Sequence, residues 1–328
     1  MSRSQTDPEQ LPPSAGEGAG RIIRVDAARR LEAIERLVGT AAGGGRACAE
    51  RFLEFSQTHA IRVDAMWAAL DASGRVDAVV LAVPHPGRTA MLFTGPPASR
   101  KDVPAVAGLI DHVCHQLATM DTELAQALTE PRDTLQRDAL LAGGFTELAH
   151  LSYLERPLSD AARIPPPHWP PGITVEPYRE PLWAEMIDVL ERSYEDTLDC
   201  PGLRGLRRTE DILTGHRATG TFDADLWTLM RMDGEPCGGL LLNRAPTNNT
   251  IELVYIGLAP AARGQGHARR LLQHGLRLCA GGGERALTLA VDERNDPALA
   301  LYRREGFRRV LRRVAMIRSL RSTASRPT

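Results

Sequence analysis

The stretch IELVYIGLAPAARGQGHARRLLQHGLRLC, residues 251–279, decides how the chain is read. Ile251 to Leu258 are rich in β-branched and large apolar side chains and predict a strand. A proline turn follows, and Arg263-Gly264-Gln265-Gly266-His267-Ala268 then opens an amphipathic helix over Gly266 to Cys279. The glycines keep side chains away, so successive backbone N–H groups converge on one point. Joined to the positive end of the helix dipole, they form a cradle for a pyrophosphate. No Gly-Lys-Ser/Thr occurs, so this is not a P-loop, and the spacing is not the GxGxxG of a dinucleotide turn. Taken alone, the turn is equally compatible with plain helix capping.

Residues downstream narrow that choice. DERNDPALALYRREGF, residues 292–307, puts Asn295 at a helix start, Tyr302 within the helix and Gly306-Phe307 at its close. Arg263-x-x-Gly266-x-Ala268 followed by Asn295, Ala298, Tyr302 and Gly306-Phe307 resembles the GCN5-related N-acetyltransferase (GNAT) family. The first part matches the family's acetyl-CoA pyrophosphate motif and the second its closing helix-strand motif. Residues 173–250 fit the family by element order alone.

The resemblance implies an α/β (α+β, mixed-sheet) fold whose central strands splay apart, with pantetheine adding to the exposed edge of strand 250–258. Backbone groups near Ile256 and Leu258 would pair with the pantetheine amides. The N–H groups of Gly264, Gln265, Gly266, His267, Ala268 and Arg269 would hold the pyrophosphate of acetyl-CoA, the co-substrate. Arg263 stands where the family has Arg or Gln; His267 and Arg269 fall at variable or solvent-facing positions, His267 serving as a backbone donor only. Glu252, beside the expected thioester, is the candidate general base, its alternative being a solvent-facing strand glutamate. Tyr302 resembles the tyrosine that protonates the departing thiolate; the competing role is a packed helix tyrosine. N–H groups at a strand bulge would stabilise the developing oxyanion. Asn295 caps its helix and contacts CoA. No metal is implied.

Outward from this motif, 328 residues suffice for about two domains at ~150 residues each. PLSDAARIPPPHWPPG, residues 157–172, favours an extended spacer and sets residues 158–172 as a Pro-rich linker. The halves, 21–157 and 173–320, carry the same order of predicted helices and strands. Gly144-Phe145 matches Gly306-Phe307, and Pro97-Ala98-Ser99-Arg100 matches Pro260-Ala261-Ala262-Arg263, at nearly the same offset. The chain reads as two tandem GNAT-like acyl-CoA N-acyltransferase domains, an arrangement similar to that of mycothiol synthases. Residues 1–20 read as a disordered tail and 321–328 as a fraying one.

The first half has lost the chemistry. Opposite the cradle stands Arg100-Lys101-Asp102-Val103-Pro104-Ala105, where valine and proline obstruct or remove donors. Opposite Asn295 lies Asp133, and opposite Tyr302 lies Leu140. Residues 21–157 thus read as a degenerate domain and 173–320 as the catalytic one.

The loop SYEDTLDCPGLRGLRR, residues 193–208, is the acceptor candidate: Glu195, Asp196 and Asp199 attract an ammonium and Tyr194 packs against its carbon body. Cys200 reads as a packed thiol. Five widely spaced cysteines without a CxxC pair fit a reducing cytoplasm. A formal charge of -1 provides no field for nucleic acid or an anionic membrane. Two functions follow: an acetyl-CoA-dependent N-acetyltransferase acting on a small-molecule amine or peptide N-terminus, or a CoA-binding regulatory sensor without turnover.

Overall fold

A computed structural model of the chain describes residues 21–39, 45–58 and 62–321. The tail expected over 1–20 and residues 322–328 of the second tail lie outside the described residues. The first half runs β1 (Arg21–Arg24), α1 (Arg30–Val38), α2 (Arg46–Thr58), β2 (Met66–Leu70), β3 (Val76–His85), β4 (Thr89–Thr94), α3 (Val103–Ala118), β5 (Leu124–Thr129), α4 (Thr134–Ala142) and β6 (Thr146–Pro157). The second repeats this order as β7 (Ile173–Pro177), α5 (Trp183–Ser193), α6 (Thr209–Ala218), β8 (Trp227–Met232), β9 (Glu235–Ala245), β10 (Thr250–Leu258), α7 (His267–Leu278), β11 (Ala286–Asp292), α8 (Asp296–Arg304) and β12 (Arg308–Ser319).

Equivalent helices start by equivalent chemistry. Asp133 caps α4 by accepting from the Gln136 N–H at 3.2 Å, and Asn295 caps α8 by accepting from the Ala298 N–H at 3.3 Å. The helices turn one apolar stripe to the sheet: Val106, Leu109, Ile110, Val113 and Leu117 on α3, Leu271, Leu272 and Leu276 on α7.

The strands form a single twelve-stranded mixed sheet in the order β1-β2-β3-β4-β5-β12-β6-β11-β10-β9-β8-β7. Its centre departs from a picture of two halves laid end to end. β12 pairs antiparallel with β5, β6 pairs antiparallel with β11, and β6 and β12 pair with each other. Each half therefore ends on a strand that closes the other half's sheet. Core packing follows the exchange. Val314 and Met316 of β12 pack with Leu109, Ile110 and Leu140 of the first half, whereas Leu154 of β6 packs with Leu253, Leu287 and Tyr302 of the second. Fully buried Met316 is thus a first-half core residue near the end of the chain. Met316→Ala is expected to cost about 2–5 kcal/mol, measured as a lowered urea midpoint in one transition shared by both halves. Separate transitions with the first half unaffected would contradict the exchange.

Residues 158–172 are not a free spacer. Leu158 and Ala161 are buried in the second core, and Ala161–Arg163 make a single 3-10 turn. Arg270 Nε donates to the His168 carbonyl at 3.0 Å, and Trp169 meets the His274 ring edge-on at 6.3 Å. The prolines keep the segment extended while its few apolar side chains pin it along α7.

Candidate active site

The site begins where two parallel strands part. β10 and β11 pair only from Thr250↔Ala286 to Glu252↔Thr288, so the β11-facing edge of β10 is unpaired from Leu253 onward. A bulge between Leu253 and Tyr255 marks the divergence, the kind of irregularity that re-aims backbone groups beside functional sites. β4 and β5 also pair over a short register, but β4 runs against β3 without any shift.

A cavity of about 1090 Å³ opens at the splay, lined by the Leu253–Leu258 edge, the start of α7, the start of α8 and the loop after α5. It exceeds the roughly 300–1,000 Å³ of ordinary small-molecule pockets, leaving space for two ligands to meet. The cradle lies at one side. Gly264 and Gly266 hold left-handed φ of +76° and +75°, which a side chain would strain. The first bond of the helix is Arg270 N–H to the Gly266 carbonyl, at 3.3 Å, and no N–H of residues 264–269 is bonded to another of the described residues. Six adjacent donors are therefore free at a helix N-terminus, which is the donor set a pyrophosphate requires.

Individual residues refine the expected list. Ile256, Leu258, Arg263, Gly264, Gly266, His267, Ala268, Asn295 and Tyr302 all line the cavity. Gln265 and Arg269 do not: the Gln265 amide donates to the Ala261 carbonyl, and Arg269 pairs with Glu305 at 2.6 Å, leaving only their backbone groups for the cradle. The Arg263 side chain is engaged by the protein. Its Nε donates to the Leu258 carbonyl at 3.0 Å and Nη2 to the Ser193 carbonyl at 2.9 Å, which ties the end of β10 to the end of α5. His267 is not solvent-facing. It is 2% exposed, burial lowers its pKa, and its Nδ1 has no partner among the described residues, because the second glycine turns the helix start inward.

Tyr302 is buried, edge-on to Phe307 at 5.5 Å. Burial, reinforced by the Asp199 carboxylate, raises its phenol pKa, so the hydroxyl stays protonated at neutral pH. Glu252 is half-buried on β10 and burial raises its carboxyl. It lies two residues before cavity-lining Val254 and is not itself in the lining. Between Glu252 and the cleft the bulge inserts one residue, a shift that strand alternation alone does not reveal.

The loop after α5 brings Tyr194, Glu195, Asp196 and Asp199 to the cavity wall. A reciprocal latch holds it to the end of β11. The Asp292 N–H donates to Asp199 Oδ1 at 3.0 Å, and the Cys200 N–H donates to Asp292 Oδ2 at 3.3 Å. Asp292, fully buried, keeps its charge through Arg294 at 2.7 Å. Burial, with the neighbouring Asp292, raises the Asp199 carboxyl above its ordinary value. Burial also pushes the Cys200 thiol up to about 12, far from the thiolate a nucleophile needs.

Several lining residues escaped the sequence reading. His216 and Arg207 come from and just before α6, and Tyr255 from the bulge. His216 packs on the Tyr255 ring at 5.8 Å; burial, then the Arg207 charge, pulls it down to about 4, so it is neutral. His85, Thr89 and Gln126 reach the same cavity from the first half. Gln126, a polar residue within the apolar strand LAQALT, was the one legible signal.

At the first half's counterpart of the cradle, Asp102 Oδ2 accepts from the Ser99 N–H at 2.8 Å and hydroxyl at 2.9 Å. Its own carboxylate thus occupies loop donors, next to Pro104, which has no N–H.

Residues 183–307 match the model of the acetyltransferase (GNAT) family. The matched segment lies within the second half of the chain. A mycothiol acetyltransferase from Streptomyces bingchenggensis is 31% identical over 170 residues, 50% of this chain and 53% of that relative. The chain spans about half the length of the curated relatives it matches. A GCN5-related N-acetyltransferase from Sphaerobacter thermophilus aligns over 90% of this chain and 92% of its own, with a TM-score of 0.57 and 17% identity. A tandem GNAT protein from the clavulanic acid biosynthesis pathway aligns over 89% and 94%, with a TM-score of 0.52 and 16% identity. These likenesses make the present fold a tandem GNAT fold.

Proposed function

We propose that the second half of this GNAT protein transfers an acetyl group from acetyl-CoA to the primary amine of a small molecule or peptide N-terminus. The observation that carries the reading is the set of free N–H groups at residues 264–269 opening into one cavity with Tyr302 and the acidic loop. Acetyl-CoA, the family's co-substrate, supplies the acyl thioester. The cradle binds its pyrophosphate, and the unpaired β10 edge near Ile256 and Leu258 takes its pantetheine amides. Glu252 accepts the amine proton, through water given its position outside the lining. The buried, protonated Tyr302 gives its proton to the departing thiolate. The relatives named mycothiol acetyltransferase support a small-molecule acceptor. Residues 173–320 form the catalytic domain, completed by β6 from the degenerate first one.

No described helix is long and apolar enough to cross a membrane. Together with the free cysteines among the described residues, this supports action in a reducing cytoplasm. Thiol release from acetyl-CoA across a panel of primary amines is the test. Amine-dependent release is expected; tight CoA binding with no release for any amine would favour the regulatory sensor instead.

A further inference from the structure

Two side chains of opposite charge line the cleft without neutralising each other. Asp199 and Arg207 both belong to the cavity wall, and neither has an ion-pair partner among the described residues. The Asp211 carboxylate, near Arg207, pairs with Arg208 instead. Tyr194 sits within the electrostatic reach of both Asp199 and Arg207, so both charges lie near one aromatic side chain. Arg207 is held in place rather than left to swing. Its Nη2 donates to the Gly87 carbonyl at 2.7 Å and to the Asp211 carbonyl at 2.9 Å. Gly87 belongs to the β3–β4 turn of the first half and has φ +83°; a Cβ there would lie 2.1 Å from the Asp211 carbonyl oxygen. The two halves therefore dock without room for a side chain, and the docking fixes the guanidinium.

What remains of that guanidinium is unused. Among the described residues Nη1 has no bond, and Nε is buried without a partner. Within its electrostatic reach are neutral His216 and Tyr194, and two carboxylates engaged elsewhere: Asp211 with Arg208, and Glu123 with Arg88 and Arg321. A partly desolvated cation without a paired carboxylate is costly, and a planar fork of free donors matches an oxyanion. Asp199 presents the opposite charge to the same cavity. Such a bipolar lining suits a molecule that is itself both cation and anion.

We propose that the acceptor carries an oxyanion as well as its amine, and that Arg207 binds this oxyanion while Asp199 faces the amine. The proposal rests on the acetyltransferase reading above and narrows its substrate class. It also gives the degenerate first half a role, because the β3–β4 turn sets the specificity-determining arginine. A carboxylate or a phosphate presents the same chemistry to Arg207, so the test includes both.

Initial rates with the full-length protein are compared within matched pairs: L-serine against L-serinamide, glycylglycine against its amide, and glucosamine 6-phosphate against glucosamine. The charged member of at least one pair is expected to have a KM lower by about tenfold or more, and the pair that discriminates identifies carboxylate or phosphate. Arg207→Gln should erase the preference and Arg207→Lys retain part of it, with the acetyl-CoA Kd unchanged in both as evidence of an intact fold. Calorimetry of the same pairs on the CoA-loaded protein reads the preference without turnover. Preferential binding with no acetylation would sink the acetyltransferase reading and leave the oxyanion site standing. Equal use or binding of charged and uncharged partners in every pair, or a preference that survives Arg207→Gln, overturns the proposal.

Discussion

Tyr302→Phe is expected to lower kcat by about 10²-fold or more while leaving acetyl-CoA affinity unchanged. The substitution removes one oxygen from a ring that is packed on Phe307 and otherwise part of the second core. Phenylalanine fills the same volume, so the fold and the cradle remain. The lost group is the buried hydroxyl proposed as the proton donor, whose pKa burial, then Asp199, holds above the ordinary phenol value. Turnover by single-turnover thiol release and affinity by calorimetry separate the two quantities. Unchanged turnover would return Tyr302 to the role of a packed helix tyrosine.

Glu252→Gln is the second large effect. A base works only when deprotonated, and burial raises the Glu252 carboxyl above the ordinary carboxylate range. Activity should therefore rise with pH through that raised value, giving an acidic limb displaced upward from the pKa of an exposed glutamate. The glutamine variant should lose about 10²-fold in kcat/KM and flatten that limb, because the group that titrates is gone. A wild-type acidic limb in Glu252→Gln would point to Asp199, the other carboxyl that burial raises, and would remove Glu252 from the reaction.

Much of this was legible in residues 251–307, for a physical reason. A strand that must expose one edge, a turn that must bare six N–H groups and a helix that must start on Asn295 each need particular residue types at fixed spacing. Alternation and caps also located elements: the strand Thr250–Leu258 and the helix capped by Asn295 fall where the pattern predicts them. Partner choice was not legible. The alternating pattern of β6 and β12 states which side chains turn inward but not which strand lies alongside, so the exchange at the centre of the sheet required the registers. The Pro-rich segment misled in the same way, since composition describes its stiffness and leaves out the packing of Leu158, Ala161 and Trp169. Arg207, one of three arginines in LRGLRR, carries no local mark; its function comes from the Gly87 carbonyl, far away in sequence.

We propose that one half of a duplicated fold has kept the cofactor site. Gly264 and Gly266 leave free donors in the second half, whereas Asp102 and Pro104 fill or remove them in the first. Titration of the full-length protein with acetyl-CoA by calorimetry tests this most directly. The expected stoichiometry is one acetyl-CoA per chain, abolished by Gly266→Val and unaffected by substitution of Asp102. Two acetyl-CoA molecules per chain, or binding that persists in Gly266→Val, would contradict it.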